Sequence, residues 1–228
     1  MGPLLNRRGL LQAAAGTALA SSGLLAACGG SSGLPAVTGS LITRWRADPF
    51  ALGSYSYLAA GARPGERQAL AAPASERLFF AGEATSSGFP ATTQGALLSG
   101  RRAAEEVLKG GGGSVIVIGS GLAGLGAAGD LVPAGSDVRV IEARGRIGGR
   151  TWTEDALAAP ADMGASWIHG IRRNPIASIA GDLGLELGPT NYENGVVYTA
   201  TGGSVALDGV PEATSLATPD ARRASLTD

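Results

Sequence analysis

Apolar positions cluster unevenly along the chain, and each cluster has its own periodicity. Val115-Ile116-Val117-Ile118 is an unbroken β-branched run, the pattern of a strand covered on both faces in a parallel sheet. An Ala/Leu-rich stretch follows to Val132 with helical character, weakened by Gly129 and stopped by Pro133. Val138-Arg139-Val140-Ile141 predicts a second strand. Two regions lack such a pattern. Gly9 to Ala27 is apolar without polar residues at helical spacing, follows Arg7 and Arg8, and lies in a 34-residue start that contains no acid. That is the pattern of an export signal rather than of a core helix. From Pro211 onward Ala, Ser, Thr, Asp and Arg follow one another without apolar periodicity, which predicts a weakly ordered tail.

Glycine sets the division of the remainder. Lys109-Gly110-Gly111-Gly112-Gly113-Ser114 predicts a flexible joint. The expected organisation is therefore a signal segment at 1–34, a first piece at 35–108, the joint at 109–114, a second piece at 115–210 and the tail at 211–228. Within the signal, Asn6-Arg7-Arg8-Gly9-Leu10-Leu11 resembles a twin-arginine sequence, with leucine where phenylalanine is usual. Leu25-Ala26-Ala27-Cys28 resembles a lipobox. The expectation is export by a twin-arginine-like route to a periplasmic or other extracytoplasmic place, with a lipid on Cys28 as the sole membrane contact.

Composition narrows the chemistry. Of 228 residues 44% are hydrophobic and 16% charged, which suits a globular chain. A net charge of −1 supplies no field to gather nucleic acid. One cysteine and one histidine cannot form a disulfide or complete a zinc site, so no metal is expected. Glycine, at 37 residues, stands at more than twice its usual share of about 7%. Much of the backbone is therefore expected to turn tightly or approach something closely.

The glycines after the first strand have a definite use. Gly119-Ser120-Gly121-Leu122-Ala123-Gly124 joins the strand to the helix. Gly119 permits the turn, Gly121 lets backbone approach a pyrophosphate, and Gly124 lets helix and strand pack closely, while the helix N-terminus offers unpaired N–H groups. Glu142 ends the second strand 18 residues after Gly124, the reach of an acid that accepts hydrogen bonds from an adenosine ribose. Its carboxylate would repel a 2′-phosphate and so disfavours NADP. Next, Arg144-Gly145-Arg146-Ile147-Gly148-Gly149-Arg150-Thr151 sets three arginines around the Gly148-Gly149 pair. Fork-shaped donors beside close-passing backbone make a second phosphate cradle and favour FAD over NAD.

At this point the residues resemble the flavin-containing amine oxidase family, which includes polyamine oxidases, monoamine oxidases and lysine-specific histone demethylases. The resemblance is carried by residues 115–125, 142–151 and Asp-Met-Gly-Ala-Ser-Trp-Ile-His-Gly at 162–170. In the first piece it is carried by Gly-Ser-Tyr-Ser-Tyr at 53–57, Phe-Ala-Gly-Glu-Ala-Thr at 80–85 and residues 91–100. It implies an α/β, Rossmann-like FAD-binding domain with a parallel sheet, closed by both pieces. It further implies that Glu142, Arg144 and Arg150 meet the adenosine and pyrophosphate half of FAD, and that Glu83 meets the ribityl region. Thr92 and Thr93 would start a helix facing the flavin's pyrimidine edge, where a helix N-terminus stabilises the charge of reduced flavin. Trp45 and Trp167 would pack beside the cofactor, and Tyr55 would wall the amine channel. Ser54 stands where monoamine oxidases attach flavin through cysteine, which implies non-covalent FAD. Thr92 stands at an aromatic-cage position, which favours the polyamine oxidase branch. His169, the sole histidine, is either a bystander or a substrate-orienting group or proton acceptor.

The order differs from the family's. Its C-terminal segment comes first here and its N-terminal segment second, as in a circular permutation. The middle that supplies most of the substrate domain, with the active-site lysine, has no counterpart, and Lys109 in the joint cannot replace that lysine. The expected activity is oxidation of a polyamine-like amine by hydride transfer to flavin with oxygen as acceptor, impaired by that loss. The alternative is a non-catalytic FAD-binding module that needs a complementing chain.

Overall fold

The computed structural model describes residues 39–63, 65–157 and 159–190, with the backbone of Val196–Tyr198 and Ser204–Ala206. The expected signal, with Arg7, Arg8 and Cys28, and the expected tail lie outside the described residues. Contacts divide the chain into two units, one of which, Gly39–Asn191 with Pro211–Asp228, holds described residues of both pieces. In the other unit, β5 (Val196–Tyr198) and β6 (Ser204–Ala206) pair as an antiparallel hairpin.

In the larger unit the first piece supplies α1 (Glu66–Ala71), a 3-10 turn (Glu83–Thr85) and α2 (Thr93–Lys109). The second piece supplies β1 (Ser114–Ile118), α3 (Leu122–Leu131), β2 (Asp137–Ile141), a short antiparallel pair β3 (Thr153–Glu154) and β4 (Ala161–Asp162), and α4 (Pro175–Asp182). β1 and β2 pair in parallel, from Ser114 opposite Asp137 to Ile118 opposite Ile141. Strand, glycine turn, helix and second strand thus follow as the sequence predicts.

The two pieces meet where glycines remove side chains. A Cβ on Gly100 of α2 would overlap the Ala123 carbonyl of α3, and one on Gly126 would lie 2.7 Å from Leu97 Cδ1. With no Cβ at either place the helix backbones close on each other, and Ala104, Ala127 and Leu131 form a buried core. Val115, Val117 and Val138 pack on that core from the sheet.

Two expectations change. The parallel sheet has two strands, both from the second piece, and among the described residues the first piece joins it through α2 and not through a strand. Among the described residues the sheet is also covered on one face only. Alternation sends Val115 and Val117 to the helices and leaves Ile116 at 63% and Ile118 at 86% exposure. The described helices lie on a single side, so the apolar run is necessary for such a strand but does not ensure a second cover. The segment expected as a flexible joint follows a defined backbone path. Lys109 ends α2, Ser114 starts β1, and Gly110, Gly111 and Gly112 donate backbone hydrogen bonds to Val107, Leu108 and Val107 carbonyls at 3.0, 3.0 and 3.1 Å. Gly111, Gly112 and Gly113 hold φ of 100°, 65° and 94°, left-handed geometry that closes a helix C-terminus at little cost only with glycine.

Candidate cofactor site

The site is built from a turn that backbone chemistry leaves open. Gly119 has φ 99°, and a Cβ on Gly124 would overlap the Gly119 carbonyl, so both positions need glycine. α3 then begins at Leu122 after Gly121, with no side chain capping its N-terminus. The first amides of the helix keep their donor capacity and the positive end of the dipole. A Cβ on Gly121 would meet only the Gly148 carbonyl, at 4.0 Å, so the turn presents bare backbone. This is the cradle that a pyrophosphate fits.

Glu142 lies against that turn. Its Oε2 accepts from Ser120 N at 2.8 Å and Ser120 Oγ at 2.7 Å, and Oε1 accepts from Arg144 N at 2.9 Å. The Arg144 amide, then the Ser120 amide and hydroxyl, hold the carboxyl down at a pKa of about 2, against the resistance of partial burial. Glu142 is therefore an anion at neutral pH with acceptor capacity left on Oε1. Gly148 and Gly149 close the turn from the other side. Gly148 N donates to Ser120 O at 2.9 Å, and a Cβ on Gly149 would lie 3.3 Å from Gly121 Cα. The glycine pair thus packs as backbone against backbone.

Two of the three arginines of this loop meet acids of the first piece. Arg144 Nη2 meets Asp48 Oδ1 at 2.7 Å and its guanidinium lies over the Phe50 ring. The guanidinium, with the Phe50 amide, draws the Asp48 carboxyl below its ordinary value. Arg146 stacks over Trp152, which meets Trp45 edge to face at 6.2 Å between ring centres. These residues line a cavity of about 530 Å³ that includes Trp45, Asp48, Phe50, Arg144 and Trp152. The volume lies in the range of small-molecule sites.

Arg150 reaches a second acid. Its Nη1 meets Glu83 Oε1 at 3.0 Å and the Ser54 carbonyl at 3.1 Å. Glu83, 6% exposed, also accepts from Ser56 N, Ser56 Oγ and Ala91 N at 2.9, 2.7 and 2.8 Å. Burial pushes this carboxyl up, but the Ser56 hydroxyl, the Ala91 and Ser56 amides and Arg150 together outweigh it, so its pKa is lowered. Four donors fill the acceptor positions of one carboxylate. Glu83 is thus the hub of the loops around it and offers a further ligand no unused acceptor. Its own place is set by α2, where Ser99 Oγ accepts from Gly82 N at 2.8 Å and Arg102 reaches Phe80 O, Ala71 O and Thr85 Oγ1.

The other predicted residues fall around these two centres. Thr92 is the N-cap of α2, accepting from Gly95 N at 3.0 Å, and Thr93 is the first helical residue. Tyr55 sits between Ser54 and Ser56, on the loop that Arg150 and Glu83 hold, and is 62% exposed. Ala165 N donates to Arg150 O at 3.2 Å, which docks the segment carrying Trp167 and His169 beside Arg150. His169 is exposed, its carbonyl accepting from Asn174 Nδ2 at 3.4 Å. No described contact joins His169 to the glycine turn. Sequence reasoning missed Asp48, Ser56, Arg67, Ser120 and Trp152. Arg67 Nη1 holds Ser56 Oγ at 2.7 Å, and nothing in its local sequence marks that role. Ser56 lies inside the 53–57 motif already singled out, whereas Asp48 carries no local signal.

Comparison with known proteins supports the same assignment. The model of the family described as flavin containing amine oxidoreductase matches residues 24–108 and 122–223. Polyamine oxidase 2 of Arabidopsis thaliana is 47% identical over 96 residues, covering 42% of this chain and 20% of that protein. Peroxisomal N(1)-acetyl-spermine/spermidine oxidase of Bos taurus is 42% identical over 120 residues, covering 51% and 23%. Histone demethylase-like protein A of Aspergillus fumigatus is 54% identical over 69 residues, covering 30% and 6%. The chain spans about a fifth of the length of the polyamine oxidase relatives. With the family match running through both pieces, and the bare turn and the Glu142 anion suited to a dinucleotide, the chain belongs to the flavin containing amine oxidoreductase family, and FAD is its cofactor.

Proposed function

We propose that this chain is the FAD-binding part of an amine oxidase of polyamine oxidase type. In this reading its order is circularly permuted, with the family's C-terminal segment at 35–108 and its N-terminal segment at 115–210, and it lacks the substrate domain between them. The observation that carries the reading is the Arg150–Glu83 pair, which joins residues 67 positions apart across the joint, beside the Gly148–Ser120 contact. The ordered joint supports it too, since Gly110–Gly113 connects α2 to β1 without slack.

Bound FAD would supply the acceptor for a hydride from the amine's α-carbon. The chain's own residues do the rest. The Gly119–Gly121 backbone and the α3 N-terminus receive the pyrophosphate, and Glu142 takes the ribose hydroxyls while repelling a 2′-phosphate. Arg150, with a side chain 39% exposed, is the Glu83 partner able to turn toward a phosphate. Arg144 and Trp45 border the adjoining cavity, and the α2 N-terminus beyond Thr92 stabilises negative charge. Ser54 leaves FAD non-covalent. Tyr55 walls the amine's path, with His169 as the orienting group.

The 62% exposure of Tyr55 and 55% exposure of Trp167 favour a second reading, a binding module that oxidises amine only when a complementing chain supplies dry substrate walls. The test is direct. Purified protein is expected to be yellow and to release flavin in acid, and Glu142→Lys to abolish flavin uptake while circular dichroism is unchanged. A colourless protein that refuses FAD sinks both readings. Anaerobic addition of a polyamine separates them, since bleaching marks the oxidase and an unchanged spectrum marks the module.

A further inference from the structure

The outer edge of β2 is unpaired among the described residues. Asp137 N donates to Gly113 O and Ile141 O accepts from Gly119 N, so the peptide groups of 137, 139 and 141 face β1. By alternation those of Val138 and Val140 face outward. Such an edge is a template for another strand, and charged side chains on it discourage pairing when like charges would meet across it. Here the charges have opposite sign two residues apart. Asp137 and Arg139 share the face away from the helices, and both are exposed. Asp137 receives one bond, from Ser114 Oγ at 3.4 Å, and Arg139 forms no ion pair among the described residues.

We infer that β2 pairs antiparallel with β2 of a second copy of this chain, about a two-fold axis at Val138, making a four-stranded sheet β1-β2-β2′-β1′. The outward peptide groups of the two Val138 residues exchange hydrogen bonds, and the flanking pairs set Asp137 opposite Arg139′ and Arg139 opposite Asp137′. These are non-hydrogen-bonded pairs, in which side chains come closest. The segment is thus self-complementary in charge, as a two-fold interface requires. No other described strand edge has this property, since β1 carries no charge.

The helix layer supplies the second observation. α3 lies against both strands and meets α2 through Ala123, Gly126 and Asp130. On the flank turned from α2, Leu125 and Val132 at i and i+7 are 36% and 58% exposed, with exposed Gly129 between them. In the paired sheet α3 and α3′ lie two strand spacings apart, roughly 10 Å, a distance at which helices pack. That flank then faces its own copy.

The inference is independent of the cofactor reading, because the glycine turns of the two copies lie at opposite ends of the antiparallel pair. Light scattering coupled to gel filtration tests it on the full chain. The wild type is expected to be a dimer, and Arg139→Asp, which turns both attractive pairs into repulsive ones, to weaken dimerisation about tenfold or more. The exchanged variant Asp137→Arg/Arg139→Asp is expected to restore the dimer, with circular dichroism and flavin uptake unchanged throughout. A monomeric wild type, a dimer indifferent to Arg139→Asp, or failure of the exchanged variant to restore a dimer while it remains folded would each overturn it.

Discussion

The two carboxylates that organise the site are built in opposite ways. Glu142 draws its partners from its own strand–turn–helix unit, Ser120 from the turn it borders and Arg144 from two residues ahead. Glu83 draws on Ser56, Ala91 and Arg150, at separations of 27, 8 and 67 residues. One centre is local and half open to water. The other is long-range and 6% exposed. The Glu142 centre is therefore a property of a short peptide pattern, whereas the Glu83 centre exists only when the two pieces dock.

This contrast predicts unequal consequences when each centre is damaged. The largest belongs to Glu83. Glu83→Ala leaves four donors without their acceptor in a nearly closed place, and a loss of about 3 kcal/mol is expected in urea unfolding. A loss no larger than that of Glu142→Ala would show that the hub is not assembled as described.

Next comes the docking that assembly needs. Gly100→Leu forces α2 from the Ala123 backbone, with about 2 kcal/mol of destabilisation. The first piece should then become the more exposed to protease, with the second less affected. Equal protection of both pieces would blur the comparison.

The last effect concerns Glu142 alone and is read in how stability varies with pH. Its folded pKa is about 2 and its ordinary value 4.5. A depressed carboxyl contributes stability that is fully present above the ordinary value and is lost as pH falls from about 4.5 toward 2. Glu142→Gln should flatten this part of the melting-temperature profile and leave it unchanged near neutrality in shape. An unaltered acid limb would remove Glu142 from the account.

The difference between local and distant construction also explains what was legible in the sequence. Val115 to Ile118, the three turn glycines and Glu142 could be read because each is positioned by neighbours in one supersecondary unit. Glu83 and Arg150 could be named through family motifs, but not their mutual contact. Arg67, Asp48 and Trp152 carry no periodic or spacing signal, because their partners approach from 11, 96 and 107 residues away, to Ser56, Arg144 and Trp45 respectively. The joint was expected to be flexible because Gly-rich composition signals conformational freedom. Left-handed helix closure uses the same residues for the opposite purpose.

By itself, then, the amino-acid order determined the strand–turn–helix–strand unit and its anionic terminus, since backbone sterics and period act over a few residues. Only the tertiary structure decided which acids the arginines meet and, among the described residues, that α2 rather than a strand couples the two pieces and that one sheet face stays open. Those outcomes depend on which surfaces remain after distant elements have packed, and no local pattern encodes that remainder.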